Sequence, residues 1–159
     1  MTDTVIRRLG AAVAGVLVTD AMIHLYWATG ATWPASDERV LSFAVLNVDV
    51  PFTPRVLLPL VALLLTAATV VALGSRDGAL PGWPARLVRA GTMIVALGIA
   101  ARGAAGLVWA TGLGVDTPGS FLWLNRLLYT PLCIALFAAT WAVVRHGCNS
   151  RGGARAQGR

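Results

Sequence analysis

The stretch LGAAVAGVLVTDAMIHLYWAT, residues 9–29, decides how the rest of the chain is read. As a helix it is about as long as the hydrocarbon core of a bilayer is thick. Two ionisable residues, Asp20 and His24, sit inside it. Four residues apart, they share one helix face, and Trp27 continues that face. Ionisable groups at such depth are costly in lipid and turn toward protein or a water-filled cavity. The face carrying Asp20, His24 and Trp27 is therefore the first candidate site.

Composition agrees with a membrane setting. Of 159 residues, 57% are hydrophobic and 13% charged, and the mean hydropathy is +0.70. A soluble domain carries roughly 25% charged residues. The net charge of +6 comes from 13 basic residues, every one an arginine. They cluster at the ends of apolar segments, where topology explains them, so nucleic acid is not expected as a partner. Cys133 and Cys148 form no CxxC pair, and on one helix they would stand about 22 Å apart. That argues against a thiol oxidoreductase of the membrane quinone-reducing type. The two histidines, His24 and His146, fall on opposite sides, so no metal site is expected and no cofactor either. Arg7 and Arg8 precede an apolar run as in a signal peptide, but the run is long, holds Asp20 and His24, and lacks a good cleavage site.

Outward from that stretch the chain reads as an all-α, polytopic bundle of four transmembrane helices. Residues 1–8 form a cytoplasmic lead. Span one (9–29) ends at Gly30 and Trp33-Pro34. In the long connection after it, Ser36-Asp37-Glu38 has the N-cap and acidic first turn of a short interfacial helix, followed by an extended piece punctuated by Pro51 and Pro54. Span two covers 56–73, with Pro59 near its start. A turn-rich link holds Arg76, Asp77, Pro81 and Pro84. Span three covers 87–111 and contains Arg102, with Gly98, Gly103 and Gly106 nearby to permit close helix approach. Asp116 and Pro118 mark the next link. Span four covers 121–144, and residues 145–159 are expected as a basic disordered tail. The arginines of the lead, the middle link and the tail place both termini in the cytoplasm of a bacterial inner membrane.

With that topology, Asp20, Arg102 and Tyr129 all lie roughly 12 to 14 Å below the outer boundary, with Asn125 and Arg126 one turn nearer the surface. A buried arginine keeps its charge and needs an anion or several carbonyls. Asp20 is the one acid inside a span, so an Asp20–Arg102 ion pair is expected, with His24, Asn125 and Tyr129 completing the hydrogen bonds. Arg126 is expected to snorkel. Most of the six tryptophans suit an aromatic belt, while Tyr26, Trp27, Trp109 and Trp123 are candidates to line an outer-leaflet pocket.

His24-Leu25-Tyr26-Trp27-Ala28-Thr29-Gly30, followed by Trp33-Pro34, resembles the opening of an uncharacterised family of small bacterial four-helix membrane proteins. Phe121 to Cys133, FLWLNRLLYTPLC, is similar to that family's last-helix signature, an acid and a Tyr-Ser-Pro-Leu-Cys run. Arg102 falls near the family's third-helix arginine. Here Asn125 stands where the signature has its acid, and Thr130 replaces the Ser. The resemblance implies a fold and a membrane location and no settled reaction. If the acid carries the family's activity, this chain has lost or changed it.

Two functions are expected to compete. In the first, the protein is an enzyme that begins cyclisation or isomerisation of an isoprenoid by protonation. Aromatic faces would then stabilise the cation. Arg102 would keep Asp20 ionised, so Asp20 orients His24, and His24 or Glu38 donates the proton. In the second, the bundle binds lipid or accompanies another membrane protein, and Asp20–Arg102 is structural glue. The expected partners are membrane lipids, a lipophilic small molecule and a second copy of the chain.

Overall fold

The computed structural model describes residues 1–76, 80, 82–114 and 119–157, with only the backbone for residue 120 and residues 148–157. Asp77, Pro81, Asp116, Pro118 and Arg159 lie outside the described residues. The regular secondary structure of the described residues is all helical, and four of the helices are long and apolar enough to cross a membrane.

Helix α1 spans Asp3–Ala28, so Arg7 and Arg8 ride on its first turns. Of its buried positions, Ile6, Gly10, Val13, Leu17, Ala21 and Ala28 recur every three or four residues with one gap at His24, and Trp27 is buried beside them. Such spacing keeps one face inward. The helix stops at Gly30, whose φ of +89° suits a residue without Cβ. Helix α2 spans Glu38–Leu46. Its N-cap is Asp37, whose carboxylate accepts the Val40 N–H at 2.9 Å. It ends at Asn47, in the left-handed region at φ 60°.

Helix α3 spans Pro54–Gly74. Pro54 sits in its first turn, where the missing N–H has no intrahelical partner to lose. Helix α4 spans Gly82–Ala110. The last span is broken into α5 (Ser120–Leu124), a π-turn (Asn125–Tyr129) and α6 (Thr130–Gln157). Pro131 accounts for the break. It donates no N–H, and its ring crowds the carbonyl four residues back. The backbone widens by one residue ahead of it, and the Thr130 N–H bonds Asn125 O instead. Helix α6 carries on through residues 145–157, where the sequence predicts a tail; within that stretch His146 is held against Asp3 at 3.1 Å.

The four long helices form a ring. Helix α1 packs on α3 and α6, and α4 packs on the same two, which leaves α1 and α4 on a diagonal. The Asp3–His146 contact and the approach of Gly10 to Ser75 bring both ends of the chain to one end of the bundle. At the other end α2 packs on α5, and the Asn47 side chain donates to Gly114 O at 2.8 Å, joining the two loops of that end.

Two dry cores result. One, at mid-bundle and toward the termini, contains Val13, Leu17, Ala68 and Val71, with Val95 and Leu136 against it. The other caps the loop end and contains Trp27, Ala28, Leu41, Phe52 and Leu57. The outside of the bundle is apolar too: Leu63, Ile94 and Leu127 are each at least 65% exposed. Water would not favour such a surface, and lipid does.

Candidate functional site

Between the two cores lies a polar layer, built from two half-sites on diagonal helices. The first belongs to α1. His24 fills the gap in the buried stripe. Its Nδ1 lies 2.9 Å from the backbone O of Asp20 and 3.4 Å from the Asp20 carboxylate. A carbonyl oxygen only accepts, so Nδ1 carries a hydrogen and Nε2 is the ring's other proton site. Asp20 is half exposed at the edge of the stripe. The imidazole meets the Trp27 ring edge-on at 5.2 Å. Trp27 itself is buried, donates its indole N–H to Trp33 O at 3.0 Å and packs on Phe52 at 5.6 Å. It is the floor of the cap as much as a wall of the layer.

The second half-site belongs to α4 and the π-turn. The Arg102 guanidinium lies 5.0 Å from the centre of the Trp109 ring and 5.6 Å from that of Tyr129. Trp109 is steadied in turn by Phe121, edge-on at 5.4 Å. The Nη1 of Arg102 is buried and has no hydrogen-bond partner among the described residues. Cys133 completes this side. It is a free thiol one turn beyond Tyr129, against Gly103.

Several expected roles change. Among the described residues the Asp20–Arg102 ion pair does not form: Asp20 pairs with His24, and Arg102 stacks on rings. Helices α1 and α4 occupy diagonal corners of the ring. Glu38 does not hang over the layer. Its carboxylate accepts the Phe52 N–H at 2.5 Å, tying the start of α2 to the segment before α3. Tyr26 and Trp123 point outward, 45% and 63% exposed, as interfacial aromatics do. Arg126 donates from Nε to Ala110 O at 2.8 Å, closing the carbonyl end of α4 where a cation is favoured.

Asn125 is fully buried, and its amide is committed internally. Its Nδ2 donates to Gly106 O at 2.7 Å, and its Oδ1 accepts the Thr130 hydroxyl at 3.3 Å. It clamps the π-turn to α4. Sequence reasoning did not assign Cys133, Thr130 or Phe52 to the site. Cys133 was accessible to it, being four residues beyond Tyr129 on the same face. Phe52 was not, because nothing in a loop sequence says that it folds back over Trp27.

Among the described residues no cluster of three metal-ligating side chains occurs. No curated protein and no solved structure matches the chain. A model of the family described as a protein of unknown function (DUF3995) matches residues 17–140, well over half of the chain and the whole of the polar layer, so the chain belongs to this family.

Proposed function

We propose that this protein spans the bacterial inner membrane with both termini in the cytoplasm, and that its polar layer binds a lipophilic molecule on the outer-leaflet side. The orientation rests on the arginines, which crowd the end of the bundle that holds both termini. One observation carries the binding function. The opposite charges on α1 and α4 do not touch among the described residues, and Arg102 Nη1 is buried with no hydrogen-bond partner among them. A purely structural ion pair would join its helices directly. Charges that stop short of one another in a low-dielectric layer suit a ligand with a polar group between them.

A catalytic function on an isoprenoid is supported by the held imidazole. With Nδ1 fixed on Asp20, a protonated His24 would pass its Nε2 proton to an alkene carbon and recover a proton when the carbocation eliminates. Ring faces at Trp27 and Trp109 would stabilise that cation. Under this second reading, His24→Ala and Asp20→Asn abolish product while folded protein still accumulates.

The experiment that tests binding is mass spectrometry of lipids that co-purify with wild type and with His24→Ala. A discrete lipophile enriched with wild type is the expected result. Bulk phospholipid alone in both samples would overturn it and return the layer to a structural role.

A further inference from the structure

We infer that Arg102 is the receptor for an anionic two-oxygen head group, a carboxylate or a phosphate monoester, carried on a single apolar chain. This rests on the binding function proposed above and specifies its ligand. The argument starts from the way the guanidinium is covered. Trp109 and Tyr129 offer ring faces to it. A ring face engages the cation but accepts no in-plane hydrogen bond in the manner of an oxygen. The N–H groups lie in the guanidinium plane, and among the described residues none donates to protein. Nη1 is also cut off from solvent.

The carbonyls one and two turns along α4 are taken. Gly106 O receives Asn125, and Ala110 O receives Arg126. The one acid within the spans, Asp20, is engaged by His24 across the diagonal. What remains is a planar, permanently charged fork with its flat face supported and its edge unmatched. The group that fits such an edge is a pair of oxygens sharing a negative charge, held by two parallel N–H···O bonds. A hydroxyl or a single ketone oxygen matches only one arm.

Depth restricts the rest of the ligand. Arg102 lies eight residues before the end of α4 at Ala110, about 12 Å into the helix at 1.5 Å per residue. The cap of Trp27, Leu41, Phe52 and Leu57 closes the loop end above it. A resident diacyl phospholipid keeps its phosphate at the interface and would have to draw two chains and a glycerol inward. A single-chain acid or phosphate needs to bring in only its head.

The test uses the full-length protein in nanodiscs of phosphatidylcholine, with three photoactivatable diazirine probes of equal chain length: hexadecanoic acid, hexadecyl phosphate and hexadecanol. Crosslinks are located by peptide mass spectrometry. In wild type the acid or the phosphate labels α4 and the π-turn about tenfold more than the alcohol, as a charge-assisted fork predicts. The stronger of the two names the source. In Arg102→Gln that preference falls to about one. Arg102→Lys keeps the charge without the fork and retains only part of it, so the inference stays testable if the Gln variant fails to fold. Equal labelling by all three probes in wild type would overturn the head-group assignment and leave lipophile binding standing. Absence of labelling in the bundle interior by any probe would overturn both.

Discussion

Gly98, Gly103 and Gly106 lie within about two and a half turns of α4, and the same substitution should act differently at each. At Gly98 an added Cβ meets nothing within 4 Å, and Gly98→Ala should stabilise by about 0.5–1 kcal/mol through the lost backbone freedom of glycine. At Gly103 the Cβ comes to 3.4 Å from Cys133 Cβ, an ordinary contact that leaves the change within about 0.5 kcal/mol of neutral. At Gly106 it collides with Thr130 Oγ1 and lies 3.2 Å from Asn125 Oδ1 and 3.3 Å from Thr130 Cβ. Either α4 and α6 separate, or the Thr130 hydroxyl swings away and abandons Asn125. Overpacking of this kind costs about 1–3 kcal/mol. Less the propensity gain of about 1 kcal/mol, Gly106→Ala should destabilise by up to about 2 kcal/mol. Equilibrium unfolding by SDS titration in dodecylmaltoside micelles, followed by far-UV circular dichroism, measures all three. Adding Thr130→Ala to Gly106→Ala should cost less than the two changes summed, because the second removes the atom that the first strikes. Equal losses at Gly98 and Gly106 would refute the reasoning, since the α4–α6 contact would then not be what selects glycine.

Other expectations follow the same geometry. Trp27→Ala should cost about 3–5 kcal/mol, because it empties the centre of the cap, whereas Trp123→Ala should stay within about 0.5 kcal/mol; the same SDS titration separates them. Asn125→Leu removes the amide link from the π-turn to Gly106 O and should cost about 1–2 kcal/mol, near the top of the range for hydrogen bonds inside membranes. At the interface, the Val40 N–H, and after it the Ser36 hydroxyl, hold the Asp37 carboxyl below the usual carboxylate range. A depressed acid stabilises the fold above its ordinary pKa and loses that contribution as pH falls through the lower folded-state value. Thermal unfolding of wild type should therefore ease as pH drops below that range. Asp37→Asn keeps an N-cap oxygen and should flatten the dependence, while Asp37→Ala should melt earlier at neutral pH.

Hydropathy and punctuation made the architecture legible. Four apolar runs, the Asp37–Glu38 start, the glycine after Thr29 and the prolines at helix starts all act locally, through groups a few residues apart. The π-turn was less accessible. Pro131 in an apolar helix announces a disturbance, but whether the backbone kinks, breaks or widens depends on what α4 offers to Asn125. Glu38 shows the limit most plainly. An acid in a first helical turn is expected to face solvent or serve the helix dipole. Here it reaches fourteen residues ahead to the Phe52 N–H, a partner set by the path of an irregular loop.

Residue counting gives an expected depth and no azimuth, and this difference explains the fate of the expected ion pair. Counting residues from a span end gives a side chain's height, because rise per residue is constant. It does not say which neighbour the helix turns that face toward. The count puts Asp20 and Arg102 at one height, so opposite charge alone made them expected partners. The glycines contained the missing information. Gly106 faces Thr130 on α6, and Arg102, four residues earlier, shares that face of α4. An arginine on the face that closes against α6 meets residues of the π-turn and α6, as the Tyr129 contact shows, and not the diagonal helix. A small residue one turn from a buried charge thus reports the direction of that charge, provided the helix it packs against is known. That proviso is tertiary information, and it decides which neighbours a buried charge meets.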